Sequence, residues 1–352
     1  MEQVNVLMCC SDLSVQGGMV SVLKNYLNYD NWGKYNIIFV PTHVEKNKLI
    51  VASYFAISYI KICRLIKKEK IEIAHLHTAE RGSFYRKAML VRLLKRHCVK
   101  TVMHHHAAEF EQFYNNSSEK QKEYIRKTLE LTDLNIVLSK RLVPMIKDKA
   151  PKANVQVLYN AVPTFEKNPY NTNAKGVLFL GRLGKRKGTY DLLSAIKKID
   201  SKLNTDICFY LCGDGEVEEV QKKIVELGLS HRIKHVGWME KAEKDALYPN
   251  IMLNVLPSYN EGLPMSILET MAFGIPNIST KIASIPEVLK DGENGYLIEP
   301  GDVDGLANRL LELCSNATLR SEFSNKGYTF VCENFSLKKN LEILKSFYSE
   351  LL

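Results

Sequence analysis

The strongest constraint on this chain is a rhythm that runs through it twice. Short apolar runs alternate with longer amphipathic stretches. Runs at 4–9, 35–40, 71–77, 100–104 and 134–138 read as buried strands, with helices expected at 18–28, 54–68, 84–96, 118–132 and 141–149. A second series places strands at 176–180, 206–213, 233–236, 251–257, 276–279 and 295–298, and helices at 188–199, 216–227, 243–247, 265–273 and 303–314. Strands that alternate with helices imply parallel pairing, because each return to the same end of a sheet needs a crossover. The expected fold class is therefore α/β, two Rossmann-like doubly wound domains facing across a cleft. The segment 163–175, with Pro, Asn and Thr and few apolar residues, reads as a linker. The expected domains are 1–165 and 175–336, with an amphipathic helix at 337–352 crossing back to the first domain.

A length of 352 residues suits two domains of ordinary size. The eight cysteines are scattered and follow no secretion signal, so they are expected as reduced core thiols rather than a disulfide framework. The uncharged run 49–60 is too short to span a bilayer, and a cytoplasmic protein is expected. Charge is uneven. Residues 1–165 hold 25 Lys and Arg against 14 Asp and Glu, a net of +11, and the remainder hold 23 against 25, a net of −2. A basic first half fits an anionic membrane leaflet or a phosphorylated substrate. Nucleic acid is not an expected partner, because no recognition motif or aromatic-basic platform accompanies the charge.

In open α/β sheets ligands bind at the carboxyl ends of strands, so motifs should fall in strand-to-helix loops. The segment 257–274, PSYNEGLPMSILETMAFG, follows a buried strand and opens a helix that stops at Gly274. Ser266, Glu269 and Thr270 share one polar stripe on an otherwise apolar helix. A carboxylate there needs partners, and a ribose diol offers two donors. Glu261 lies in the preceding loop, and the amides near Gly262 and Leu263 sit where a helix start favours anions. Earlier, GRLGKRKG at 181–188 places Arg182 and Lys187 between a strand and a helix, where two cations can clamp a diphosphate. No P-loop pattern is present.

Together these elements resemble the retaining glycosyltransferase family 4 (GT4), whose fold is GT-B. The resemblance covers 176–300 well and the first half loosely. It rests on Gly-Arg…Lys-Gly after the first strand of the second domain and on Glu261 and Glu269, with seven residues between them, in a Pro-Ser…Glu-Gly-x-Pro…Leu-Glu context. It rests also on Ile285-Pro286-Glu287 followed by Asp291-Gly292 and Gly295. The resemblance implies a nucleotide-diphosphate sugar as donor and retention of configuration. It implies no cofactor and no required metal. It implies that Arg182 and Lys187 bind the diphosphate, Glu269 the ribose and Glu261 the donor sugar, with Gly213 and Asp214 beside the base.

In the first half, Gly17 and Gly18 open a helix after the first strand, where backbone can approach a phosphate. The run His104-His105-His106 ends a strand. Its side chains alternate in direction, so one ion cannot take all three. The resemblance implies a catalytic His here against the donor sugar, with His106 expected and His104 the fallback. His75 and His77 share another strand face, and Arg81 follows them, so all three are candidates for acceptor contact. The family's acceptors imply a glycan on a lipid-pyrophosphate carrier in bacterial surface polysaccharide synthesis, with the protein docking on the inner face of the cell membrane. A nucleotide-sugar epimerase of the same fold and a non-catalytic scaffold are the competing readings.

Overall fold

The computed structural model describes residues 3–106 and 109–352, which form two compact units. Unit 1 comprises 1–161 and 337–352, and unit 2 comprises 162–336.

Unit 1 runs β1 (Val4–Cys10), α1 (Gly18–Leu27), β2 (Tyr35–Pro41), α2 (Lys48–Lys68), β3 (Ile71–Thr78), α3 (Gly82–Arg96), β4 (Lys100–His105), α4 (Phe110–Asn115), α5 (Glu119–Leu131), β5 (Leu134–Val137), α6 (Val143–Lys147) and β6 (Val155–Val157). Its sheet is parallel, in the order β2-β1-β3-β4-β5-β6. The inner strands are buried on both faces because helices cover both. Leu7, Ala74, Met103 and Val137 join Ala88, Val91, Ile125 and Ile146 in one core. The expected helix at 54–68 begins earlier, at Lys48. The Asn47 side chain accepts from Ile50 N at 3.0 Å and caps it.

Unit 2 runs β7 (Gly176–Leu180), α7 (Thr189–Ile199), β8 (Cys208–Cys212), α8 (Val217–Glu226), β9 (Ile233–Gly237), α9 (Lys241–Leu247), β10 (Ile251–Leu256), α10 (Met265–Ala272), β11 (Asn277–Thr280), α11 (Ile285–Val288), β12 (Gly295–Ile298), α12 (Val303–Ser315) and α13 (Ala317–Asn334). This sheet is also parallel, in the order β12-β11-β10-β7-β8-β9.

The helix α13 has no counterpart in the sequence reading. Its buried residues, Arg320, Phe323, Ser324, Gly327 and Val331, include three that are not apolar, so the stripe carries little hydrophobic contrast. Arg320 turns inward and donates to the carbonyls of Leu313 and Cys314 at the end of α12. The last helix, α14 (Leu337–Leu351), belongs to unit 1. Tyr26 donates to Asn340 at 2.9 Å, and Tyr348 is fully buried. The described cysteines are all free. Burial pushes the Cys9 and Cys212 thiols up to about 12, so neither is a nucleophile at neutral pH.

Candidate active site

In unit 2 the strand order reverses between β7 and β10, so the chain leaves these neighbours toward opposite faces and a crevice opens at their carboxyl ends. The two loops that leave there are 181–188 and 257–264. Gly188 stands where they meet, at φ +70°, and a Cβ there would lie 2.0 Å from the Pro257 carbonyl oxygen. Tyr259 N donates to Arg186 O at 2.9 Å, which ties the loops together. The loop after β8 packs as closely. A Cβ on Gly213 would lie 2.0 Å from Gly181 O, and Leu183 N donates to Asp214 O at 2.6 Å.

This packing positions the charged groups. Arg182 has 59% of its side chain exposed and reaches Asp214 at 3.4 Å. A pair so open to water is weak, so the guanidinium keeps most of its donors for a ligand. Lys187 is sequestered by contrast. Its Nζ lies 2.5 Å from Glu261 Oε1, with side-chain exposures of 13% and 6%. Ser258 Oγ donates to the same oxygen at 2.7 Å, and Thr280 Oγ1 fixes the Ser258 carbonyl at 2.7 Å. Two residues that the sequence suggested as separate ligand contacts therefore form one buried ion pair between two loops. The ammonium has three protons and spends one on Glu261.

Gly262, Leu263 and Pro264 lead into α10, and Ser284 N donates to Gly262 O at 3.3 Å. The start of an eight-residue helix carries partial positive charge, which favours an anion beside this segment. The expected polar stripe of α10 is divided. Thr270 is buried and points into the core. Its hydroxyl donates to Asn277 Oδ1 at 2.9 Å, while Asn254 donates to the same oxygen at 2.7 Å. That network pins α10 to β10 and β11. Glu269 stays partly exposed. Tyr248 donates to it at 3.3 Å, and Lys244 Nζ lies 3.8 Å away. Burial pushes the Glu269 carboxyl above its usual range, against the pull of Lys244 and the Tyr248 hydrogen bond. Tyr248 and Lys244 escaped the sequence reading, although their i, i+4 spacing just before β10 puts them on one helical face.

In unit 1 the order reverses between β1 and β3. Gly17, at φ +134°, precedes α1, and Gly18 is the first residue of that helix. Arg81 follows β3 in a left-handed conformation unusual for arginine, φ +57°, and pairs with Glu109 at 3.0 Å. Cross-strand neighbours gather the histidines, because His77 of β3 lies in register with His104 of β4. His75 Nε2 is 3.1 Å from His104 Nδ1, His77 Nδ1 is 2.9 Å from His106 Nε2, and His75 Nδ1 is 2.6 Å from the Tyr348 hydroxyl. His75 and His77 are fully buried. The structure therefore turns these two acceptor candidates into the interior, while His106 stays half-buried at the end of β4. Burial alone holds His75 down to about 3, and burial with neighbouring imidazoles holds His77 and His104 well below the usual range.

His75, His77 and His104 each offer a nitrogen within 4.8 Å of the others, which is within reach of one metal ion. The ring arrangement fits that poorly. His77 stacks on His75 at 4.6 Å and on His104 at 5.1 Å, and both ring nitrogens of His75 already have partners. Imidazoles that share an ion aim their nitrogens at one point rather than stacking faces. The cluster is a neutral packed ladder.

Two adjoining family models match the chain, "Glycosyltransferase Family 4" over residues 34–165 and "Glycosyl transferases group 1" over residues 162–330. The chain is 27% identical to an Escherichia coli UDP-Gal:alpha-D-GlcNAc-diphosphoundecaprenol alpha-1,3-galactosyltransferase, over 89% of this chain and 84% of that protein. Among solved structures it resembles a sucrose-phosphate synthase from Thermosynechococcus elongatus, with TM-score 0.80, 15% identity and coverage of 99% of both chains. It also resembles Anabaena HepE in complex with UDP-glucose, with TM-score 0.73, 16% identity and coverage of 99% of this chain and 100% of that one. At these identities the structural likenesses establish the fold, two Rossmann-like domains of GT-B type.

Proposed function

The chain belongs to the GT4-type glycosyltransferases, and from that premise we propose that it transfers a sugar, with retention, from a nucleoside-diphosphate donor to a glycan carried on a lipid pyrophosphate. The observation that carries this reading is the gathering of Arg182, the Lys187–Glu261 pair and the start of α10 around the switch point of the unit 2 sheet. As the donor bond breaks, negative charge grows on the departing diphosphate. A guanidinium, an ammonium and a helix start fixed in advance stabilise that charge without reorganising. Glu261 steers Lys187 and keeps one carboxylate oxygen beside the site, where a donor-sugar hydroxyl can reach it. Glu269 receives the ribose diol, and the loop at Gly213 and Asp214 borders the base. In retention the leaving phosphate oxygen accepts the acceptor's proton on the face it has just left.

The E. coli relative's name supports an acceptor sugar borne on a diphospholipid, and HepE's complex supports a UDP-type donor. A screen of UDP-, GDP- and dTDP-sugars, read as nucleotide release with and without acceptor, tests the reading. One donor class should release nucleotide. No release from any donor, or epimerised sugar from donor alone, would overturn it. Because the diphosphate's charge is met here by side chains and a helix start, EDTA is expected to leave the rate of release unchanged. A metal-dependent rate would show that these groups are insufficient.

Changing Glu269 to Gln should weaken donor binding about 10- to 100-fold, since a hydrogen bond to a charged group contributes roughly 1.5–3 kcal/mol. The change should appear in KM rather than kcat. An unchanged KM would remove Glu269 from the ribose.

A further inference from the structure

Outside the donor site, the outer face of α2 is open to solvent. This helix has 21 residues and mean hydropathy 1.7 over an 18-residue window, yet only 11% of that window is buried. Leu49 is 83% exposed, Ile57 68%, Ile60 52% and Ile50 44%. So much open aliphatic surface on one helix is unusual for a crossover helix packed on a sheet. The inner face is conventional. Phe55, Ser58 and Ile62 are buried, and Ser58 Oγ donates to Pro41 O at 2.7 Å. Tyr54 donates to Asp12 at 2.9 Å, so the helix is fastened along its length to unit 1.

The charges are arranged with equal regularity. No charged residue occurs from Leu49 to Ile60. Lys46 and Lys48 precede that stretch, and Lys61, Arg64, Lys67 and Lys68 follow it, all six exposed. Leu49, Ser53, Ile57, Ile60, Arg64 and Lys67 succeed one another at steps of three or four and so share one stripe, aliphatic first and basic last.

We propose that the outer face of α2 docks unit 1 flat on an anionic lipid bilayer, with Leu49, Ile50, Ile57 and Ile60 entering the acyl boundary and the flanking cations meeting lipid phosphates. An interfacial helix has this make-up, an apolar face with Lys and Arg reaching up to headgroups. Spanning is disfavoured, since it would pull Phe55, Ser58 and Ile62 from the core of unit 1. A second copy of the chain is a poorer occupant, because two such faces would oppose six cations to six. The inference rests on the surface of unit 1 and deepens the lipid-linked acceptor reading, since it brings the enzyme to the plane where such an acceptor lies.

Flotation of the full chain with phosphatidylcholine vesicles, with and without phosphatidylglycerol, tests it. Wild type should float with the anionic vesicles and at least 10-fold more weakly with the neutral ones. Ile57→Glu/Ile60→Glu changes only exposed positions and should reduce binding at least 10-fold, with nucleotide release in vesicle-free buffer unchanged. Arg64→Gln/Lys67→Gln should lose part of the phosphatidylglycerol-dependent increment while keeping the rest. Equal flotation of wild type and Ile57→Glu/Ile60→Glu, or none with anionic vesicles, overturns the docking surface. A dimer in light scattering that the same double change dissolves would reassign the face to a second copy. Loss of vesicle binding with donor turnover intact would leave the catalytic reading standing.

Discussion

Replacing Lys187 by alanine is expected to lower turnover about 10²- to 10³-fold, the loss that follows when one fixed charge aimed at a developing anion is removed. The same change should also lower stability. Glu261 would be left with 6% of its side chain exposed and, among the described residues, Ser258 as its remaining side-chain partner. Breaking a buried pair from one side costs about 3–5 kcal/mol. The two effects separate in the double variant Lys187→Met/Glu261→Gln. Two neutral side chains of similar size leave no stranded charge, so the unfolding midpoint should return most of the way to wild type. Turnover should stay at the level of the single variant or fall further. Calorimetry together with nucleotide release gives both readings. A double variant as active as wild type would remove the pair from the chemistry.

Unit 1 is expected to lose stability steeply as pH falls below about 6.5, the usual histidine value. His75, His77, His104 and His105 are all buried. Burial holds His75 to about 3, His105 to about 4, and the other two well below the usual range. The unfolded chain takes up protons on these rings from pH 6.5 downward, while the folded chain does not. The unfolded state therefore binds more protons across that window, and stability decreases with falling pH by about 1.4 kcal/mol per pH unit for each such ring. Urea unfolding at a series of pH values, followed through the buried Trp32 of unit 1, measures the slope. His105 touches Asn135 at 3.1 Å, and His105→Gln can keep that contact while removing one titrating ring. The slope should fall by about one proton's worth. A flat profile between pH 7 and 5 would mean that the rings take up protons without unfolding.

The fold was legible because the strand–helix rhythm is a direct consequence of parallel sheets covered on both faces. The missed elements are those where that rhythm is weak. The helix α13 buries Arg320, Ser324 and Gly327 among its inner residues, so its period carries little hydrophobic contrast. The strand β6 is three residues long and sits at a sheet edge. The early start of α2 is set by Asn47, whose side chain caps the helix ahead of the expected 54. At the site, residue types and loop positions could be read, but pairings could not. Lys187 and Glu261 meet because Gly188 lets the loop of β7 lie against Pro257, a contact between loops about seventy residues apart in sequence. The histidine ladder depends likewise on the register of β3 with β4, whereas the sequence suggested only the alternation along a single strand. Thr270 shares the expected polar stripe with Glu269, but its hydroxyl turns into the core and meets Asn277.

A crystal structure of the chain with its nucleoside diphosphate shows whether the charges at the switch point of the unit 2 sheet meet the leaving group. The diphosphate should lie between loops 181–188 and 261–263, with Arg182 and Lys187 in hydrogen-bond reach of its oxygens. Both ribose hydroxyls should lie on Glu269. A nucleotide bound elsewhere on unit 2, or one whose phosphates touch neither cation, would contradict that arrangement.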